Sequence, residues 1–150
     1  KIKLENHNKI GKFALINTVQ YQKKEQNIEL NELETLNVPE WLTRNTLLYS
    51  TYLLNKALFL QTGITFNYFT KFFADYYNPL LSELVTQNYK QIGDYPRLDF
   101  FINAKIQQTR IFVKVEHLNS SSTGYDFYSD PFNPYRDLSV RFGVVWNFFQ

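Results

Sequence analysis

Catalysis would need a nucleophile, a general base or a metal-binding cluster, and few residues here qualify. The 150 residues include two histidines, His7 and His117, and no cysteine, which excludes thiolate chemistry, disulfides and cysteine-based metal sites within them. His7 stands beside an expected short turn and reads as a solvated turn residue. His117 continues the alternation of Val113 and Val115, and residues two apart share one face of a strand. A serine partner on that face would have to stand where the sequence has Asn119, while Ser120, Ser121 and Ser122 fall in the following loop. A histidine at the rim of an apolar face is the simpler reading, and no catalytic residues are expected. No His, Asp and Glu stand at metal-ligand spacing, and the five glycines form no phosphate-cradling cluster. Neither a metal nor a cofactor is expected. What remains is a dense set of charges and amides: Arg97, Asp99, Asn103, Lys105, Gln107, Arg110, Lys114, Glu116, Arg141 and Asn147. Such groups cannot fill a dry core. Against water they can line a passage and bias which ions enter it, and five basic residues against two acidic ones, a net of +3, favour anions.

These residues must be held by elements whose nature the composition constrains. The net charge of the whole sequence is only +2, too weak to suggest nucleic acid as a partner. Phe, Tyr and Trp make up 18% of the residues, which suits either an aromatic β-rich core or a wall with aromatic girdles at two lipid interfaces. No run of eighteen apolar residues is present, so no transmembrane helix is expected. The sequence opens at Lys1, contains no Met and shows no signal peptide; it reads as the C-terminal portion of a longer chain.

Alternation and β-branched or aromatic content predict seven strands, at about 1–7, 10–22, 41–54, 57–72, 97–107, 110–119 and 138–149. Short turns are expected near Asn8-Lys9, Asn55-Lys56 and Gln108-Thr109, and long loops over 23–40, 73–96 and 120–137. Short connections on one side and long ones on the other are the habit of transmembrane barrels. Parity offers a check, since across a two-residue hairpin an outward even residue must face an outward odd one. The first hairpin sets Ile2 and Leu4 beside Leu15 and Phe13. The second sets Leu47, Tyr49, Thr51 and Leu53 beside Ile64, Thr62, Leu60 and Leu58. The third sets Leu98 to Ile106 beside Ile111 to His117, and all three put apolar residues on one face. The candidate lumen-lining residues Asp99, Asn103, Lys105, Lys114, Glu116, Arg141 and Asn147 fall on the other, with Gly63 and Gly143 among them relieving crowding. Loop 120–137, with Tyr125, Phe127, Tyr128, Phe132 and Tyr135, is too apolar to stay in water; it could cover the mouth, fold inward or dock on a partner. Within loop 73–96, Leu80 to Val85 could form a short strand or a helical turn.

The final segment, Arg141-Phe142-Gly143-Val144-Val145-Trp146-Asn147-Phe148-Phe149-Gln150, resembles the sorting signal of bacterial outer-membrane barrels, with Arg141, Gly143, Trp146 and Phe148 as its signature residues. It departs from that pattern in ending on Gln150. Further stretches resemble the putative porins of Bacteroidota: Phe59-Leu60-Gln61-Thr62-Gly63, Ala74-Asp75-Tyr76-Tyr77-Asn78-Pro79, Tyr95 to Ile106, Lys114 to Asn119 and Tyr135-Arg136-Asp137. The resemblance runs from about Trp41 to the end. It implies an all-β fold, an antiparallel transmembrane barrel of which residues 1–150 supply about seven C-terminal strands. It also implies residence in the outer membrane, contact with its lipid, and passage through the barrel-assembly machinery. A periplasmic C-terminus makes the first strand here run inward, so at least one more strand is expected before Lys1 or from another chain. Three functions follow in order of preference: a passive or weakly selective channel, a structural or accessory subunit docking other outer-membrane proteins through loops 73–96 and 120–137, and last an enzyme.

Overall fold

The computed structural model describes residues 1–24, 37–122, 124 and 126–148; most of the expected loop 23–40 and the expectations on Tyr125, Phe149 and Gln150 lie outside them. Strand-forming runs of β-branched and aromatic residues become β1 (Ile2–Ile10), β2 (Phe13–Tyr21), β3 (Trp41–Leu53), β4 (Leu58–Phe69), β9 (Arg97–Ile106), β10 (Thr109–Glu116) and β11 (Ser139–Trp146). Between β4 and β9 lie the short strands β5 (Phe72–Phe73), β6 (Tyr76–Asn78), β7 (Glu83–Val85) and β8 (Gln91–Ile92). The seven long strands form one antiparallel sheet in the order β1-β2-β3-β4-β9-β10-β11. Each pairs with the next long strand in sequence, the meander of an up-and-down wall. β1 and β11 are its two edges, so the sheet as it stands is open.

The connections alternate as expected, but two turns sit elsewhere. The first hairpin turns at Gly11-Lys12, not at Asn8-Lys9, and pairs Ile10 with Phe13, Leu4 with Val19 and Ile2 with Tyr21. Gly11 has φ +59° while Lys12 is not in the left-handed region, the pattern of a II′ turn with glycine first. Gly11 therefore outcompetes Asn8. The second hairpin has the expected register, Leu47 opposite Ile64 and Leu53 opposite Leu58. The third turns at Gln107-Gln108, not at Gln108-Thr109, and pairs Ile111 with Ala104, two positions from the expected partner Ile106. Both errors move the pairing by an even number of positions, so every side chain keeps its expected face.

The apolar side chains buried among the described residues, Ala74, Ile92, Tyr95, Phe127 and Pro131, all lie outside the seven-stranded sheet. The sheet itself leaves large apolar side chains exposed on one face, Phe142 at 82% and Val144 at 65% among them. An outward face of this kind is unfavourable in water. The dry core of this chain sits in its long loops.

A charged face and its loop cover

Following the register across all seven strands divides the wall into two faces. Every charged strand residue falls on the same one: Lys3, Glu5, Lys9, Arg44, Arg97, Asp99, Lys105, Arg110, Lys114, Glu116 and Arg141. Eight basic residues against three acidic ones leave a net of +5 on it. The opposite face carries no charge. Two hollows open on the charged face, one lined by Arg44, Thr46, Thr65, Asp99 and Lys114, the other by Gln61, Asn103, Lys105 and Arg110. This charged face, indented by the two hollows, is termed the inner face and the uncharged one the outer face.

Toward the long-loop end the charges neutralise one another. Arg97 Nε lies 3.5 Å from Asp99 Oδ1, and Lys114 Nζ lies 3.9 Å from Asp99 Oδ2 and 2.7 Å from Glu116 Oε1. Arg141 Nη2 reaches Glu116 Oε2 at 2.9 Å across the β10–β11 pair. Asp99 is almost wholly buried, and its oxygens also accept from the His117 backbone N–H at 3.0 Å and Asn67 Nδ2 at 3.4 Å. A buried carboxylate is tolerable only when surrounded by donors in this way. The alternating row of Arg97, Asp99, Lys114, Glu116 and Arg141 thus retains a single excess positive charge.

At the short-turn end there is no such compensation. Lys56, Lys105 and Arg110 line a hollow of about 550 Å³ with Tyr52, Gln61, Asn103 and Gln107, and none of the hollow's lining residues is acidic. Cations gathered without counter-charge raise the local anion concentration.

The sequence-derived lining residues thus fall into two groups: Asp99, Lys114, Glu116 and Arg141 in the paired row, Asn103 and Lys105 at the basic hollow. Asn147 belongs to neither. It lies past the end of β11, where its backbone N–H donates to Gln108 O at 3.3 Å. Arg44 was not among the expected lining residues, although its even position among the outward odd residues of β3 places it there. Gly143 sits where the Phe112 ring crosses the wall, and a Cβ there would lie 2.6 Å from it; at Gly63 a Cβ would lie 2.5 Å from Leu47 O and 2.9 Å from Phe101. Both glycines admit an inner-face phenylalanine beside the backbone, the crowding relief that their placement suggested. On the outer face of β11, Trp146 and Phe148 stack at 4.9 Å and remain exposed.

Above the paired row the two long loops fold over the inner face and pack on each other. Phe69 meets Tyr95 at 5.7 Å, and Tyr135 covers the Arg97 guanidinium at 4.9 Å. Tyr76 meets Phe132 at 5.2 Å, and Lys90 Nζ sits 3.1 Å above the Tyr128 ring. Gln87 staples its own loop: Nε2 donates to Ala74 O and Lys90 O, while Oε1 accepts from the backbone N–H groups of Tyr89 and Lys90. Burial lifts the Tyr95 hydroxyl above the ordinary phenol range, against the pull of nearby Arg97. The segment from Leu80 to Val85 contributes strand β7, paired with β6.

His117 corrects its sequence reading. β10 ends at Glu116, and His117 adopts φ +55°, which takes it off the alternation. Its side chain has no exposure and touches neither lipid nor solvent. It lies among Phe127 at 4.5 Å, Tyr135 at 5.8 Å and Tyr95 at 6.2 Å, with Nδ1 2.8 Å from Arg136 O. It is the keystone of the loop cover.

No curated protein matches the chain, and no solved structure does. A family model described as Putative porin matches residues 1–150, the whole of the sequence. An antiparallel meander, one uncharged outward face and one polar inward face are what such a protein requires. The chain belongs to the putative porin family, and is a porin-like outer-membrane protein at that general level.

Proposed function

We propose that this segment is the C-terminal part of the wall of a closed barrel in the bacterial outer membrane. The barrel is a non-catalytic channel for small solutes with a preference for anions. One observation carries the reading: all eleven charged residues of the seven strands share the inner face. In lipid a charge on the outward face of a barrel costs about 2–4 kcal/mol near the midplane. In the lumen it stays hydrated. The basic excess, concentrated at Lys105 and Arg110, supports anion preference, and the loop cover narrows the opposite mouth. The partners this entails are outer-membrane lipid and, during insertion, the barrel-assembly machinery.

The full-length protein in planar bilayers tests the reading. A salt gradient across the membrane should give a reversal potential of anion-selective sign, and K105E/R110E should shift it toward cations. A cation-selective or non-conducting wild type would contradict the proposal. A second reading, an accessory subunit of a larger outer-membrane assembly, is favoured by one feature. The cover orders most of its aromatics yet holds Leu80, Leu81 and Leu84 out at 93%, 60% and 69% exposure. Apolar side chains presented on an ordered loop suit a docking surface, and a stable partner lost on L80S/L81S/L84S would support that reading.

A further inference from the structure

The outward face lacks charge, but it is not uniformly apolar. Asn6, Asn17 and Asn45 are direct register partners across β1, β2 and β3, a row of carboxamides with Asn8 one step along β1. On the same face Tyr21 packs on Trp41 at 4.7 Å, and at the other end Phe13 packs on Tyr49 at 5.0 Å. Asn17 stands four residues from both Phe13 and Tyr21, and Asn45 four from both Trp41 and Tyr49. At about 3.3 Å per residue each amide lies roughly 13 Å of strand from either aromatic pair. Aromatic girdles mark the borders of the lipid-facing band, so the asparagines stand at its middle.

Hydrocarbon supplies no hydrogen bonds, and amides left unpaired there are costly. Asn45 Nδ2 donates to Thr43 Oγ1 at 2.9 Å. Among the described residues the side chains of Asn6, Asn8 and Asn17 have no hydrogen-bond partner. Further strands of the same barrel would not cover them, because strands join edge to edge and leave the outward face bare.

We propose that the outward face of β1–β3 is an intramembrane interface with a second copy of this chain, centred on the asparagine row. The proposal rests on the reading of this face as membrane-embedded. A carboxamide both donates and accepts. A two-fold axis through the row therefore sets amide against amide, the self-complementarity that an isologous contact needs. Leu4, Leu15, Val19 and Leu47 surround the row and supply apolar contact. The outward residues of β9–β11 offer no polar group between Val115 and Ile111, and lipid satisfies them.

The test uses the full-length protein in outer-membrane fractions, with a single cysteine and a short bis-maleimide. L15C and V19C should give a copy-to-copy crosslink, and V113C on the far wall should not. N6L/N17L/N45L should keep a heat-modifiable barrel in the membrane while the L15C crosslink disappears. Inserted barrels with no crosslink, a crosslink to a different protein, or a crosslink that survives the triple leucine change would each overturn the proposal. Failure of the wild type to fractionate with the outer membrane would overturn the proposed location and this interface with it. All of these changes lie on the face opposite the charged one, so the channel reading stands or falls separately.

Discussion

The two ends of the sheet obey the same alternation and yet build unlike walls. On β9–β11 the outward residues Leu98, Phe100, Ile102, Ile111, Val113, Val140, Phe142 and Val144 form an unbroken apolar surface, while the inner face carries a chain of partnered charges. On β1–β3 the outward surface is broken at mid-height by amides. The inner charges there are sparse, with Lys3 paired to Glu5 at 2.6 Å in full view of solvent. Period-two patterning specifies which face looks out. What that face meets depends on the residues across each register row, so a lipid-facing wall and a protein-facing wall can share one pattern.

The sharpest way to break the contrast lies at the end of β11. W146S/F148S removes the stacked outward aromatics that anchor the strand at the interface. It should abolish the heat-modifiable, protease-resistant form in outer-membrane fractions, the largest effect expected. Normal insertion would reduce these residues to ordinary strand positions. Next comes the alternation itself. V113R should destabilise by about 2–4 kcal/mol, whereas neighbouring K114Q should cost far less, as denaturant unfolding in lipid vesicles would measure. Equal losses would mean that the faces are misassigned.

Much of this was legible in the sequence, for a definite reason. A two-residue turn misplaced by any number of residues moves the pairing by twice that number, so Lys114 and Val113 fell on their correct faces even though the β9–β10 pairing was two positions off. The asparagine row was hidden by the same kind of error. A turn at Asn8-Lys9 sets Asn6 opposite Gly11, and only the turn at Gly11-Lys12 brings it to Asn17. The burial of His117 was out of reach, because it depends on Phe127 and Tyr135 arriving from a loop whose path no local pattern fixes. The division of the inner charges into a paired row and a bare basic hollow likewise emerges only once β4, β9, β10 and β11 are side by side.

Two smaller effects sharpen the comparison. Glu116 accepts from both Lys114 and Arg141 and its side chain is only 12% exposed, so E116Q should cost about 1–3 kcal/mol. On the opposite wall the Glu5 side chain is 63% exposed, and E5Q should cost roughly 0.5 kcal/mol or less. Comparable losses in unfolding measurements would erase the distinction between a built network and a surface pair. The smallest shift is expected at Asn45: N45V should leave the barrel's own stability nearly unchanged, while V113N on the far wall lowers it. If N45V instead unfolds the barrel, the amide serves the fold and not a contact.

The central claim is that one face of this wall meets hydrocarbon and the other meets water. Single cysteines placed in turn from Arg110 to Val115 in the full-length protein, assayed in intact outer membranes, test it directly. Positions 110, 112 and 114 should react with a membrane-impermeant, water-soluble maleimide small enough to enter the lumen. Positions 111, 113 and 115 should resist it, and a bilayer-restricted quencher should extinguish a fluorophore attached there. A strict alternation of the two responses is the predicted result; uniform labelling along the strand, or the opposite phase, would contradict the account.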